Sequence, residues 1–140
     1  DEARAAGAEL IENPDPGEGP ITSLRLAIES LPANVDAIAY LPLDHAVVEA
    51  ADVAALIEAA ARSGAPVTLP VYAGKRGHPA IFRRALFPEL TDPELEGGAR
   101  VVVHRHLKDA CLLNTDRENV VIDIDTPEAY DAVRHGRDYP

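Results

Sequence analysis

The chain has 140 residues and a formal charge of −11 at neutral pH, from 24 acidic and 13 basic side chains. That balance argues against wholesale nucleic-acid binding, and no apolar run approaches the roughly 18 residues of a membrane span. Cys111 is the single cysteine, so there is no disulfide framework within the chain, and with aromatics at 4% the core is expected to be aliphatic.

Asp1-Glu2-Ala3-Arg4 opens an acidic, helix-like segment rather than a signal peptide, with Gly7 as its stop, and a cytoplasmic location is the simplest expectation. Ala8–Glu12 reads as a short strand. The loop Asn13–Pro20 follows, with its prolines and glycines restricting the backbone. A helix is expected from Thr22-Ser23, either of which suits an N-cap, to about Leu31, with Leu24, Ala27, Ile28 and Leu31 on its apolar face.

The apolar run Ala37–Leu41 reads as a buried strand that delivers Asp44 to its C-terminal end. A helix from Ala50 to Ser63 follows, with Val53, Leu56, Ile57 and Ala60 inward and Gly64 as its stop. Pro66–Tyr72 is the next strand, its prolines at the margins. Strand–helix–strand units of this kind build parallel sheets with right-handed crossovers, so the fold class is α/β. Beyond the loop Ala73–Pro79, a short helix is expected over Ala80–Phe87. Another is expected from Ala99 to His106, then strands at Cys111–Asn114 and Asn119–Ile124. Thr126 caps a last helix with Pro127 at its first position, and the tail from Gly136 is expected to fray. No domain boundary or internal repeat interrupts the 140 residues.

Open α/β sheets bind ligands outside the carboxyl ends of their strands. Asp44 is therefore a candidate ligand for a hard divalent cation, although turns also favour Asp. Asp123 and Asp125 stand at the end of another expected strand, where alternation puts them on one face. Carboxylates meeting at strand ends suit Mg2+, which takes oxygen ligands and keeps several waters, whereas Asp125 can equally serve only to cap the last helix. Gly77-His78-Pro79 lets a ligand approach the backbone, and His78 can donate a hydrogen bond to an anionic or carbonyl group. Most positive residues fall between Lys75 and Lys108, a local strip that can hold an anionic small molecule or simply form a solvated face. His104 and His106 are two apart on a helix, which turns them to different faces and argues against a zinc pair. Cys111, opening an apolar strand, is expected to be buried and inert.

Four stretches in order resemble one family: Asn13-Pro14-Asp15 through Gly19-Pro20-Ile21-Thr22-Ser23-Leu24, then Leu43-Asp44-His45, Gly77-His78-Pro79, and Asp123-Ile124-Asp125-Thr126-Pro127-Glu128. They resemble the molybdenum-cofactor nucleotidyltransferases, in particular the CTP:molybdopterin cytidylyltransferase branch of the NTP-transferase superfamily. The resemblance implies a three-layer α/β/α sandwich around a mostly parallel, Rossmann-like sheet. It implies transfer of a nucleoside monophosphate from an NTP, CTP as best guess, to a phosphorylated acceptor such as molybdopterin, with Mg2+ and release of pyrophosphate. By carry-over Asp44 and Asp123 are the catalytic metal ligands, with Asp125 a neighbouring candidate. Gly19, Thr22 and Ser23 lie by the nucleobase, and Gly77 and His78 line the acceptor pocket.

Two departures qualify it. The family's first strand and its glycine-rich phosphate loop have no counterpart, since Ala5-Ala6-Gly7 follows no strand and lacks the loop's Arg and Lys, so the domain is expected to be N-terminally incomplete. The proline common after the metal-binding aspartate is replaced by His45-Ala46. A sheet without that first strand exposes an edge at Ala8–Glu12, which implies a homodimer through the incomplete edge. The alternative function is a non-catalytic homologue acting as a weak nucleotide-binding or assembly module. Neither nucleic acid nor membrane is an expected partner.

Overall fold

The computed structural model of the protein describes residues 2–135; the expected frayed tail from Gly136 lies outside them. In chain order the elements are α1 (Glu2–Ala5), α2 (Pro20–Glu29), β1 (Ala37–Tyr40), α3 (Ala50–Ser63), β2 (Val67–Tyr72), β3 (Lys75–Arg76), β4 (Ala80–Arg83), α4 (Phe87–Leu90), α5 (Ala99–Arg105), β5 (Cys111–Asn114) and α6 (Pro127–Arg134).

β4 sits between β1 and β2 and is antiparallel to both, β3 is antiparallel to the end of β2, and β5 runs parallel to β2. Because β5 pairs with residues 68–71, overlapping the stretches taken by β4 and β3, it occupies the opposite edge of β2. β1, β2 and β5 therefore all point the same way, and their carboxyl ends share one rim of the sheet. The pairings are mostly antiparallel rather than parallel because β4 is wedged, reversed, into the crossover between β1 and β2.

Alternation along β4 explains the layers. Ile81 packs against Leu56 and Ala60 of α3 on one face. Ala80 and Phe82 join Leu24 and Ile28 of α2, Phe87 and Leu90 of α4, and Val102 of α5 on the other. The result is a sheet between two helical layers, with an aliphatic core in which Phe82 is the one large aromatic fully enclosed among the described residues.

Several sequence expectations are corrected. Ala8–Glu12 is exposed coil, with Leu10 and Ile11 half in solvent, so the sheet edge expected there does not exist. α2 starts two residues early, at Pro20, with Gly19 rather than Thr22 or Ser23 as its N-cap; proline's fixed φ suits the first helical position. The first half of Ala80–Phe87 is strand, because Ala80, Ile81 and Phe82 bury on alternating faces, and a 3-10 turn follows at Arg84–Leu86. Pro70 lies inside β2 and not at its margin; its carbonyl accepts from the Gly77 amide at 2.9 Å. Ile57 of α3 is 52% exposed, and Asp52 and Ala59 are buried instead. Residues 118–121 form a 3-10 turn, and no strand covers Asn119–Ile124. Cys111 is free and only half-buried.

Candidate functional site

β1 ends at Tyr40, and a turn closed by the His45 amide on the Pro42 carbonyl (3.2 Å) brings Asp44 and His45 back over the sheet rim. His45 and His78 then stack, ring centroids 4.2 Å apart and tilted by 44°. The Tyr40 ring meets His78 edge-on at 6.2 Å. Asp44 Oδ1, His45 Nδ1 and His78 Nδ1 are all buried atoms without a hydrogen-bond partner among the described residues. Buried polar atoms are nearly always paired, so three orphans side by side mark a place built for something polar.

Burial pushes the His78 imidazole below its ordinary pKa and His45 pushes it further, against the opposing pull of the Tyr40 carbonyl and the Asp44 carboxylate. Burial, and then the Asp44 charge, raises the Tyr40 phenol. At neutral pH the pair Tyr40–His78 is thus an uncharged hydrogen-bonding wall beside a carboxylate.

Asp123 reaches the same rim from the far end of the chain. The Ile124 amide donates to the Asp44 carbonyl at 2.9 Å. Residues 122–125 run extended with Ile122 and Ile124 half-buried and Asp123 and Asp125 exposed, so the expected two-residue alternation holds without a strand. Thr126 Oγ1 accepts from the Ala129 amide at 3.1 Å and caps α6, which places Asp125 just outside that helix.

A cleft of about 840 Å3 opens beside this rim. Gly77, His78, Tyr40 and Pro42 form one end. Leu69, Phe82, Leu95 and Val103 form an apolar floor, and Arg25, Arg76 and Arg100 supply cationic walls with His104 beside them; Glu96 is the one acid among the described lining residues. Sequence reasoning missed Tyr40, His45, Arg25 and the grouping of Arg76, Arg100 and His104. The basic strip was the available signal, but α5 and the turn at β3 had to fold to show which of its members converge. Others disperse: His106 Nε2 lies 2.6 Å from Glu89 Oε1, and Arg84 bonds the Val35 and Pro32 carbonyls.

Of the nucleobase candidates, Thr22 and Ser23 use their hydroxyls to fasten the Asn13–Gly19 loop. Asn13 Nδ2 donates to Thr22 Oγ1 (2.8 Å) and Ser23 Oγ (2.9 Å), and Thr22 Oγ1 donates to the Gly19 carbonyl at 2.9 Å. Gly19 has a φ of 91°, a conformation that side-chain-bearing residues rarely adopt. The cleft is touched from this region by Pro20, Ile21 and Arg25.

The donor set fits Mg2+ in a limited sense. No group of three or more His, Cys, Asp or Glu able to hold a metal occurs among the described residues. Asp44 offers one unpartnered, buried carboxylate oxygen, and Asp123 is its neighbour through the Ile124 amide. Mg2+ is commonly held by only one or two carboxylates plus substrate phosphates and waters, which is what this pair can supply.

Three-layer packing, a rim of co-directed strand ends and a carboxylate beside a cation-walled cleft define a nucleotidyltransferase-like α/β domain. The family model of the MobA-like NTP transferase domain matches residues 1–110, and the chain belongs to that family. Among solved structures, Rv0371c from Mycobacterium tuberculosis H37Rv superposes with a TM-score of 0.72 at 25% identity, over 95% of this chain and 71% of that one. A crystal structure of Rv0371c in complex with manganese gives 0.67 at 27% identity, over 79% of this chain and 59% of that one. The homologue from Mycobacterium sp. strain JC1 shares the fold, with a TM-score of 0.69 at 23% identity over 81% of this chain. The present chain spans only 56% of that homologue's length. No curated protein matches the sequence. No described helix is long and apolar enough to cross a membrane.

Proposed function

We propose that the domain serves nucleotidyl transfer from an NTP, CTP as the best guess, to a small phosphorylated acceptor such as molybdopterin, in the cytoplasm. The observation that carries this reading is the unpartnered Asp44 oxygen at the strand rim, opening beside a cleft with an apolar floor and arginine walls. The floor suits a flat heterocyclic body, and Arg76 and Arg100 suit its phosphate, since guanidinium groups bind phosphate oxygens in pairs.

In the reaction an acceptor phosphate oxygen attacks the α-phosphorus of the NTP, and pyrophosphate leaves with the bonding electron pair. Asp44 and Asp123, with Asp125 close by, would hold Mg2+, which neutralises phosphate charge when bound. His78, neutral and walled by Tyr40, orients the acceptor by hydrogen bonding from the buried end of the cleft. Gly19, with the loop fastened by Thr22 and Ser23, presents fixed backbone groups to the base. The manganese complex of Rv0371c supports a divalent cation in this fold. The test is Asp44→Asn, which removes charge with little change of shape. Cation-dependent NTP binding is expected to fall by more than about tenfold with the melting temperature nearly unchanged; an unchanged affinity would remove the metal role.

One observation favours a second reading, an assembly module. Among the described residues β1 pairs only with β4. On the α3 side, the face of β1 and β4 holds an apolar groove of about 290 Å3 lined by Ala37, Ile38, Ile57, Ala61, Ile81 and Arg83. A second copy could pair its own β1 at the other edge of β1, antiparallel, in a self-complementary contact. Light scattering tests it: concentration-dependent dimers abolished by Ile57→Glu support the pairing, and a monomer at every concentration removes it.

A further inference from the structure

Asp123 is not carried by the sheet. Residues 115–124 leave the end of β5 and cross the strand rim as a strap. Its backbone ties are the Thr115 amide to the Val71 carbonyl (2.9 Å), the Val120 carbonyl to the His78 amide (2.7 Å) and the Ile124 amide to the Asp44 carbonyl (2.9 Å). The second tie falls within a 3-10 turn at Glu118–Val121, a geometry whose own hydrogen bonds are poorer than an α-helix's.

What grips that turn is the first turn of α3. Asp52 is only 9% exposed. Its Oδ2 accepts from the Glu49 amide (3.0 Å), closing a capping box, and also from Asn119 Nδ2 (2.5 Å). Its Oδ1 lies 2.6 Å from Arg117 Nε, and the other end of the same guanidinium pairs with Glu49. Asn119 Nδ2 also reaches the Val47 carbonyl at 3.3 Å. Capping alone needs no such burial, because a solvated carboxylate at this helix position caps as well. Enclosing the charge is tolerable only with its partners in place, and both partners belong to the strap.

We infer that Asp52, Arg117 and Asn119 form a latch that positions Asp123 against Asp44. Asp44 is joined to the first turn of α3 by the short connection through His45–Val48, and Asp123 is referenced to the same turn through the latch. Both carboxylates thus take their positions from one helix end. Ligand pairs lose affinity when their supporting contacts leave them slightly loose. Asp52, Arg117 and Asn119 are positioning residues and touch no ligand. The inference rests on Asp44 and Asp123 being the cation ligands.

The test combines amide hydrogen exchange with Mn2+ titration followed by EPR, on Asp52→Asn, Arg117→Gln and Arg117→Lys, with Glu58→Ala on the exposed face of α3 as control. Asp52→Asn keeps an oxygen for the cap while removing the charge that Arg117 pairs with. Expected are exchange faster by about tenfold at the Ile124 and His78 amides, with the Ala60 amide unchanged. Mn2+ affinity should fall on the order of tenfold in Asp52→Asn and Arg117→Gln, with partial recovery in Arg117→Lys and no effect of Glu58→Ala. Unchanged exchange at Ile124 and His78, or equal acceleration at Ala60, overturns the latch. A wild-type protein that binds no Mn2+ overturns the metal reading by itself, and the exchange data alone then decide whether the latch holds the strap.

Discussion

The Val120 carbonyl accepts the His78 amide at 2.7 Å and leaves no room above the neighbouring Gly77. A Cβ on Gly77 would stand 2.7 Å from the Val120 carbonyl carbon and closer still to its oxygen. This is where the strap meets the Gly77–Pro79 loop, and glycine is required there by approach, not by conformation. Gly77→Ala is therefore expected to push the strap off the rim at a cost of about 2–3 kcal/mol. Urea unfolding measures the loss, and the His78 amide should lose its protection along with it. A substitution tolerated within about 0.5 kcal/mol would mean that the strap does not press on this loop.

His78 gives a pH prediction with a definite sign. Its folded pKa is held below the ordinary imidazole value by burial and by His45. The unfolded chain therefore binds the proton more readily, and stability is lost as pH falls below about 6.5, through the folded value. Above that pH the group costs nothing. His78→Gln should flatten the decline in melting temperature between about pH 7 and pH 5. Imidazole resonances followed by NMR should show His78 titrating at a lower midpoint than an exposed histidine. A midpoint at or above the ordinary value would contradict the buried, stacked arrangement.

The cationic walls make a prediction about ligand charge. Arg76 and Arg100 line the cleft from different elements, the β3 turn and α5. If they bind the acceptor phosphate, Arg100→Ala should weaken a phosphorylated heterocycle by about 1.5–3 kcal/mol. The dephosphorylated analogue should be nearly indifferent to the substitution. Calorimetric titration of both compounds separates the roles, and equal losses for both would assign Arg100 to shape.

How much of this was legible in the chain follows from where each signal is stored. The extent of α3 was legible, because its Ala-rich period and αL Gly64 are local, although Ile57 turns outward and Asp52 and Ala59 are buried. Thr126 and Pro127 were legible for the same reason. β4 was not, since Ala80-Ile81-Phe82 buries on both faces and carries no alternation that separates strand from helix. Its insertion between β1 and β2, which makes most pairings antiparallel, is a long-range fact. Asp44 and Gly77-His78 stood out by type and loop context, yet the His45–His78 stack and the Arg25–Arg76–Arg100 wall join residues far apart in sequence. Ala8–Glu12 had strand composition but finds no partner among the described residues, and composition without a partner leaves coil.

Thr22 separates a loop fastener from a base-reading group. Its hydroxyl is engaged with Asn13 and with the Gly19 carbonyl, at 2.8 and 2.9 Å. Thr22→Val keeps the shape and removes both contacts, so a stability loss of about 1 kcal/mol is expected. Asn13→Ala should reproduce it. If the hydroxyl acts only through the loop, the two substitutions weaken nucleotide binding equally; a larger effect of Thr22→Val in titrations with CTP would show direct contact with the base.

Asp123 and Asp125 are two residues apart, exposed on the same side of an extended segment, yet their surroundings differ. Asp123 adjoins Ile124, whose amide is tied to the Asp44 carbonyl at 2.9 Å. Asp125 precedes the Thr126 cap, and a carboxylate there favours the positive end of α6. The strap's tie thus fixes Asp123 at the rim, while Asp125 is fixed by the helix that leads away from it. Asp123→Asn is expected to weaken Mn2+ binding about tenfold with little change in α6. Asp125→Asn should leave Mn2+ affinity within about twofold and cost about 0.3–1 kcal/mol of stability through the helix end. EPR titration and thermal melts on the two variants read both quantities. The reverse pattern, with Asp125→Asn as the metal-sensitive change, would move the second ligand to Asp125.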